Sequence, residues 1–154
     1  MRGCLRGAVT SIGECINYLL DPPNSAQRLK TFFIRVHEAL RPGGLFVFDF
    51  LEPLRAGTRT GSAHRVGADW VVLLERSEDA ARRMLTRQIA TFRRVGALYR
   101  RSDETHHVTL YPGSEVAAAL RAVGFSVRVH RRYGEFPLAP GHVAIVARRL
   151  PVHQ

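Results

Sequence analysis

The sequence predicts an α/β fold, and its second and last segments carry that prediction. Residues 26–40 show a helical pattern, residues 41–44 (Arg-Pro-Gly-Gly) stop it, and residues 45–51 form an apolar run typical of a strand covered on both faces. Near the end, residues 126–131 alternate between polar and apolar, whereas residues 143–147 are apolar throughout. The last strand is therefore expected inside the sheet and antiparallel to the edge strand that precedes it.

Size and composition limit the class of protein. The chain has 154 residues, of which 45% are hydrophobic and 23% charged, which suits a single globular domain over residues 1–154. No apolar run is long enough for a membrane span, and the start does not resemble a signal peptide. The only two cysteines, Cys4 and Cys15, give no disulfide framework and predict a cytoplasmic location.

The net charge of +10 comes almost entirely from arginine, since Lys30 is the only lysine. The arginines are spread along the chain in pairs, whereas a nucleic-acid interface usually shows one clustered patch with aromatic residues between the charges. We therefore favour codon usage in a GC-rich genome as the reason and do not expect nucleic acid as a partner, although charge alone can drive nonspecific binding.

The first third predicts a strand, a short helix and a long helix. Residues 5–10 are small and apolar, and residues 14–20 fit a short helix with Ile12 turned inward. Asn24 and Gln27 resemble a capping box for the long helix. Its core face follows from the helical spacing of five residues: Leu29, Phe32, Phe33, Val36 and Leu40.

The middle third predicts a small antiparallel insert. Residues 52–67 are rich in Gly, Pro, Ser and Thr and predict a loop, and residues 68–75 predict a strand. Residues 84–95 fit both a helix and a strand, and we assign a strand because β-branched and aromatic residues are frequent there. With further strand-like pieces up to Tyr111, the insert is expected over about residues 68–111.

Four segments together resemble class I S-adenosylmethionine-dependent methyltransferases of the small-molecule type. They are residues 8–14 (Ala-Val-Thr-Ser-Ile-Gly-Glu), 16–20 (Ile-Asn-Tyr-Leu-Leu), 40–49 (Leu-Arg-Pro-Gly-Gly-Leu-Phe-Val-Phe-Asp) and 120–125 (Leu-Arg-Ala-Val-Gly-Phe). The resemblance runs from about residue 5 to residue 149. It implies a partial Rossmann-like methyltransferase sheet, strands four to seven with the last strand antiparallel, carrying the small antiparallel β insert.

The sequence also departs from that family. It lacks the glycine-rich turn after strand one and the acidic residue after strand two, and Gly7 stands where the family often has Asp. Strands one to three would need on the order of 80–100 further residues. Either the chain is a truncated gene product, which we favour, or it is a genuine half that a partner completes. Such a half would expose a sheet edge open to self-association.

The resemblance implies S-adenosylmethionine as the cofactor. It places Ser11, Ile12 and Gly13 along the methionine part of that cofactor, although Gly13 also suits an ordinary turn. Asn17 is a further cofactor candidate or a turn cap. The ring of Tyr18 either contacts the sulfonium through a cation–π interaction or belongs to the core.

The candidates for chemistry lie at a strand end and in the insert. Asp49 either orients an amine or hydroxyl of the substrate or binds the backbone of the next loop. His106 or His107 suits a general base, with an exposed polar position as the simpler interpretation. The candidate substrate-binding residues are Tyr99, Arg101 and Tyr111. The scattered histidines and cysteines do not predict a metal site.

The leading hypothesis is therefore a methyltransferase acting on a small-molecule acceptor, represented by a fragment without its glycine-rich cofactor motif. Such an isolated chain is expected to be weakly active or inactive. The alternative is a noncatalytic Arg-rich binding module or a subunit that a partner completes.

Overall fold

The computed structural model describes residues 5–18, 25–54 and 59–151. It divides into two compact units, one formed by Met1–Pro53 with Tyr111–Gln154 and the other by Leu54–Leu110. We call these the sheet unit and the insert unit. The predicted Asn24 cap and the end of the predicted short helix lie outside the described residues.

The elements follow one another in this order: β1 (Arg6–Ser11), a 3₁₀ helix (Cys15–Tyr18), α1 (Ser25–Ala39), β2 (Leu40–Leu51), β3 (Gly61–Val66), β4 (Trp70–Asp79), β5 (Met84–Val95), β6 (Leu98–Thr109), α2 (Gly113–Val123), β7 (Phe125–His130), β8 (Arg132–Tyr133), β9 (Phe136–Pro137) and β10 (His142–Arg149). The α/β class predicted from the sequence is thereby confirmed. The short helix is a single 3₁₀ turn.

The sheet unit contains a four-stranded sheet in the order β1-β2-β10-β7. β1 runs parallel to β2, whereas β10 is antiparallel to both β2 and β7. The last strand thus lies inside the sheet and β7 at its edge, as the apolar and alternating patterns predicted. The two parallel strands approach closely at Gly44, where an added Cβ would lie 2.8 Å from the Arg41 carbonyl oxygen and 3.2 Å from that of Gly7.

Aromatic side chains of α1 and β2 form the centre of the core. Phe46, Phe48 and Phe50 alternate along β2 onto one face, and all three are fully buried. Phe33 of α1 packs against them, with ring centroids 5.9 Å from Phe48. Leu29, Val36 and Leu40 are buried as well and Phe32 is half-buried, so the predicted core face is confirmed.

The two ends of α2 are capped in different ways. Gly124 adopts φ 107° after the last turn, and its N–H binds the Arg121 and Leu120 carbonyls. A glycine directly after a helical stripe predicts such a left-handed cap, and the structure confirms it. Ser114, ahead of the apolar stripe of α2, predicts a cap at that serine, but the helix begins at Gly113 after Pro112 with no side-chain cap bond, so this prediction is wrong.

The insert unit is a four-stranded antiparallel sheet in the order β3-β4-β5-β6. β5 is a strand along its whole length and pairs with both neighbours, which confirms the strand assignment for residues 84–95. β3 was expected to be loop; it pairs with β4 from Gly61 to Val66 and extends the sheet to before residue 68. Trp70, whose large apolar ring predicts a core position, has 38% of its surface exposed, so this prediction is wrong.

None of the helices in the described residues is long and apolar enough to cross a membrane.

Candidate functional site

The carboxyl ends of β1 and β2 lie at one edge of the sheet. Because these strands are parallel and Ser11 pairs with Phe48, the loop after β1 reaches the last residues of β2. β10 begins at the same edge, where His142 pairs with Leu51. Ligand-binding α/β sheets place their polar groups at this edge.

Asp49 holds the loop after β1 through its carboxylate. Its Oδ1 accepts hydrogen bonds from the backbone N–H groups of Gly13, at 2.7 Å, and Glu14, at 2.9 Å. The hydroxyl of Tyr133, on β8, donates to Oδ2 at 2.8 Å. Both carboxylate oxygens therefore have hydrogen-bond partners, and Asp49 as a whole is only 7% exposed.

The loop backbone that Asp49 binds is left-handed at two consecutive residues. Gly13 has φ 92° and Glu14 has φ 64°. A non-glycine residue adopts such a φ only where its surroundings determine it. Successive N–H groups in this arrangement converge on an anion, and here the anion is the Asp49 side chain. The Oε1 atom of Glu14 also lies 3.5 Å from Nε2 of His142.

Asn17 fixes the next turn of the chain to β2. Its Nδ2 donates to the Leu51 carbonyl at 2.9 Å, and its Oδ1 accepts from the Leu51 N–H at 2.8 Å. The residue is 1% exposed. The amide therefore satisfies two buried backbone groups at the carboxyl end of the strand.

Glu52, directly after β2, also lies at the carboxyl edge of the sheet. Its Oε1 lies 2.5 Å from Nη1 of Arg131, and its Oε2 accepts from the N–H of Gly113 at 3.3 Å. A carboxylate at this position is favourable, because the N-terminus of a helix carries partial positive charge. Glu52 thus connects Arg131 with the first residue of α2.

The pKa of the Tyr133 hydroxyl is raised above its ordinary value, first because burial disfavours the phenolate and then because Asp49 lies beside it. The neutral phenol is the donor that Asp49 requires. The phenol therefore remains a donor at the ordinary tyrosine pKa of 10.0 and loses its proton only as the pH rises through the higher folded value.

Replacing Asp49 with Asn is expected to lower the pKa of Tyr133, because the neutral amide no longer repels the phenolate. The value stays above 10.0, since burial is the larger cause. Ultraviolet absorbance of the phenolate during an alkaline titration measures it, and subtracting the titration of the matched Tyr133→Phe variant isolates this one of the four tyrosines. An unchanged Tyr133 titration in Asp49→Asn would contradict the pairing.

The structure brings the predicted cofactor residues to this edge. Ser11 and Tyr18 are half-buried, and Gly13 is exposed. Ile12 has 52% of its surface exposed, so the expectation that it turns inward is wrong. The loop is held by its own hydrogen bonds, which leaves the side chain of Ile12 facing outward.

The predicted histidines lie on β6 of the insert unit, on opposite faces because they are neighbours in a strand. His106 Nε2 lies 3.0 Å from Glu104 Oε2, and His107 Nδ1 lies 3.4 Å from the hydroxyl of Thr86. The same element carries two of the predicted substrate residues. Tyr99 accepts a hydrogen bond from Arg94 at 3.3 Å, and the Arg101 guanidinium pairs with the Asp103 carboxylate.

Tyr111, the third predicted substrate residue, belongs to the sheet unit. It is 7% exposed within the hydrophobic core, and its N–H donates to the Leu51 carbonyl at 3.2 Å. The catalytic and substrate roles of the histidines, Asp49 and these three residues stay predictions. Within the described residues no group of three or more His, Cys, Asp or Glu side chains has the arrangement of a metal site.

The sequence did not single out Tyr133 or His142. Tyr133 is 84 residues from its partner Asp49, and its neighbourhood shows no periodic pattern. From the sequence, Glu14 suits either a cofactor contact or a helix start, of which the helix start is the simpler interpretation; the structure places it in the left-handed turn. The one signal available for it was the Gly-Glu pair directly after a strand, which suits a left-handed turn.

The fold is that of S-adenosylmethionine-dependent methyltransferases. One such enzyme from Clostridium acetobutylicum ATCC 824 superposes with a TM-score of 0.76 at 19% identity over 97% of this chain. DesVI of Streptomyces venezuelae gives the same three values. The sugar N-methyltransferase KedS8 from Streptoalloteichus gives a TM-score of 0.71 at 18% identity over 97%.

The resemblance stated from the sequence is thereby confirmed at the level of the fold. The chain spans about 60% of the length of the first two structures and 58% of the third. No family model and no curated protein matches the sequence.

Proposed function

We propose that this chain is the second part of an S-adenosylmethionine-dependent methyltransferase that acts on a small-molecule acceptor. The observation that carries the proposal is the antiparallel β10 between β2 and β7, together with a loop held at the carboxyl edge beside it. In this proposal β1, β2, β7 and β10 are strands four, five, six and seven of the complete sheet. The lengths of the superposed structures support that numbering.

The loop after β1 suits the amino-acid part of the cofactor. An added Cβ on Gly13 would meet nothing within 4 Å, so the outer side of the loop has room for a ligand. Ser11, Ile12 and Gly13 offer backbone carbonyls to the ammonium group, and Tyr18 offers an aromatic ring to the sulfonium. Asn17 contributes by holding this loop to Leu51. When bound, the cofactor supplies an electrophilic methyl group.

The proposal assigns the remaining roles as follows. Asp49 orients the acceptor, directly or through the loop that it binds, and one of His106 and His107 removes its proton. Tyr99 and Arg101 of the insert unit remain proposed acceptor contacts, whereas Tyr111 is 7% exposed in the core of the sheet unit and has less support. Positioning of nucleophile and methyl carbon supplies much of the rate in such a displacement. The superposed sugar N-methyltransferase and an amino pentose methyltransferase support an acceptor of small-molecule size.

The free side of β1 is where we place the remaining strands of a complete domain. In the described residues β1 pairs with β2 alone and stands at the end of the sheet order. Most of its residues are exposed. Unpaired backbone groups along such an edge recruit another strand. A longer polypeptide, a partner chain or a second copy of this chain would satisfy them.

The alternative of an Arg-rich binding module has less support. Several arginines are engaged inside the chain: Arg59 with Glu78, Arg101 with Asp103, and Arg131 with Glu52. Arg149 donates to the carbonyls of His37 and Leu40. Guanidinium groups held in this way contribute less to a continuous phosphate-binding surface.

We expect S-adenosylhomocysteine to bind this chain with millimolar affinity, about 4 kcal/mol. The expected amide shifts in a nitrogen–proton NMR titration are confined to the loop, at Ile12, Gly13 and Glu14, and to Tyr18. S-methyl-L-methionine should shift the same amides, whereas adenosine, the matched control, should leave them unchanged, since in this proposal the loop contacts only the amino-acid part of the cofactor.

The proposal fails if the loop amides do not move at millimolar ligand. Micromolar affinity would contradict the assignment of these strands to the second part of the domain. Shifts caused by adenosine alone would contradict the placement of the amino-acid part on the loop.

A further inference from the structure

We infer that Asp49 and Tyr133 are positioning residues, which fix the left-handed backbone at Gly13 and Glu14 before any ligand binds. The inference rests on the proposed function for the identity of the ligand, but the network itself stands on the contacts of this chain. It assigns Tyr133, a residue from the far end of the sequence, to the site. Two roles were open to Asp49, orienting the substrate or binding the backbone of a loop, and we infer the second.

The geometry indicates that the Asp49 carboxylate binds the loop backbone. Two consecutive N–H groups converge on Oδ1 within 2.9 Å, and the hydroxyl of Tyr133 takes Oδ2. An acceptor substrate would therefore have to displace one of three hydrogen bonds to reach this carboxylate. A carboxylate that already receives three donors is suited to hold the protein backbone.

The left-handed backbone of the loop requires a group that stabilises it. Glu14 at φ 64° is one of two non-glycine residues with positive φ in the described part of the chain. Without the carboxylate, the two N–H groups would lose the anion around which this turn is built. The Glu14 carbonyl also accepts from the Asn17 N–H at 2.9 Å, so a shift at Glu14 is transmitted to the 3₁₀ turn that contains Asn17.

Tyr133 acts on the loop through Asp49. Its hydroxyl fixes the rotamer of the carboxylate by binding the oxygen that the loop does not use. Burial keeps Tyr133 neutral and therefore able to donate. The short strand β8, which pairs with β9, carries this residue back to the carboxyl edge. Removing the hydroxyl leaves the carboxylate present and free to rotate away from the two amides.

Hydrogen exchange of the Gly13 and Glu14 amides, measured by NMR on the full chain without ligand, tests the inference. Asp49→Ala is expected to raise both exchange rates about tenfold or more, because bonds to a charged acceptor are among the stronger ones. Asp49→Asn keeps an acceptor oxygen and should give an intermediate rate. Tyr133→Phe should raise both rates roughly threefold.

The matched control is Thr31→Val, which removes the hydroxyl hydrogen bond from Thr31 to the Gln27 carbonyl on α1. It should leave both loop amides unchanged. Exchange rates in Tyr133→Phe and Asp49→Asn that equal those of the wild type would overturn the inference and favour a direct contact of Asp49 with the acceptor. Asp49→Asn is nearly isosteric, so the test stands even where Asp49→Ala does not fold.

The outcomes separate the two proposals. If exchange accelerates as expected but S-adenosylhomocysteine shifts no loop amide, the positioning network stands and the proposed function fails. If the ligand shifts the loop amides but no variant changes their exchange, the proposed function stands and the positioning role is wrong.

Discussion

Replacing Phe48 with Ala is expected to lower the free energy of unfolding by about 3–5 kcal/mol. The ring is fully buried and stacks on Phe46, with centroids 4.4 Å apart and planes 16° apart. It also lies 5.7 Å from the ring of Phe50. Truncation removes these contacts and leaves a cavity in the layer between α1 and β2, which neighbouring rings cannot fill without leaving their rotamers.

Urea unfolding followed by circular dichroism measures the loss. A domain of this size is stable by only about 5–15 kcal/mol, so the midpoint should fall far. Phe136→Ala is the matched control, because this ring is 80% exposed and its removal should change the free energy by less than about 0.5 kcal/mol. A loss below about 1 kcal/mol in Phe48→Ala would contradict the packing described for β2.

Replacing Asn17 with Ala is expected to cost about 2–4 kcal/mol of unfolding free energy. The Leu51 backbone is buried; its N–H donates to this side chain, and its carbonyl accepts from this side chain and from the Tyr111 N–H. Alanine removes the acceptor of the buried Leu51 N–H and one of the two donors to the carbonyl, whereas an ordinary polar-to-alanine change at the surface costs little. The same urea experiment measures the effect, with Thr31→Val as a control for losing a hydrogen bond on α1.

Asn17→Asp separates the two bonds. An ionised aspartate still accepts from the Leu51 N–H but places a negative oxygen against the Leu51 carbonyl. The protonated form can donate, so folding raises the pKa of the new carboxyl, and its stability should increase as the pH falls. Equal stability of Asn17→Asp at neutral and acidic pH would show that the bond to the carbonyl is not important.

The sheet could be predicted from the sequence because its burial pattern is strong. Residues 143–147 are apolar on both faces, which only an internal strand requires, and Leu29, Phe33 and Val36 repeat at helical spacing. β3 gave no such signal. Its residues are exposed on both faces, so no alternation between polar and apolar side chains marks it as a strand.

The site could be predicted only in part. Asp49 follows from its place at the end of an apolar strand, and Gly13 from its place after β1. Asp49 was expected to orient the substrate or to bind the next loop along the chain; it binds the loop after the neighbouring parallel strand. Tyr133 reaches the site only through tertiary structure, which local periodicity does not encode.

In the function that we propose, the loop after β1 is a preformed surface for the amino-acid part of S-adenosylmethionine. Mapping of amide shifts with S-adenosylhomocysteine tests it most directly. We expect amide shifts at Ile12, Gly13, Glu14 and Tyr18 that S-methyl-L-methionine reproduces and adenosine does not. Shifts that occur only in the insert unit, or none at millimolar ligand, would contradict it.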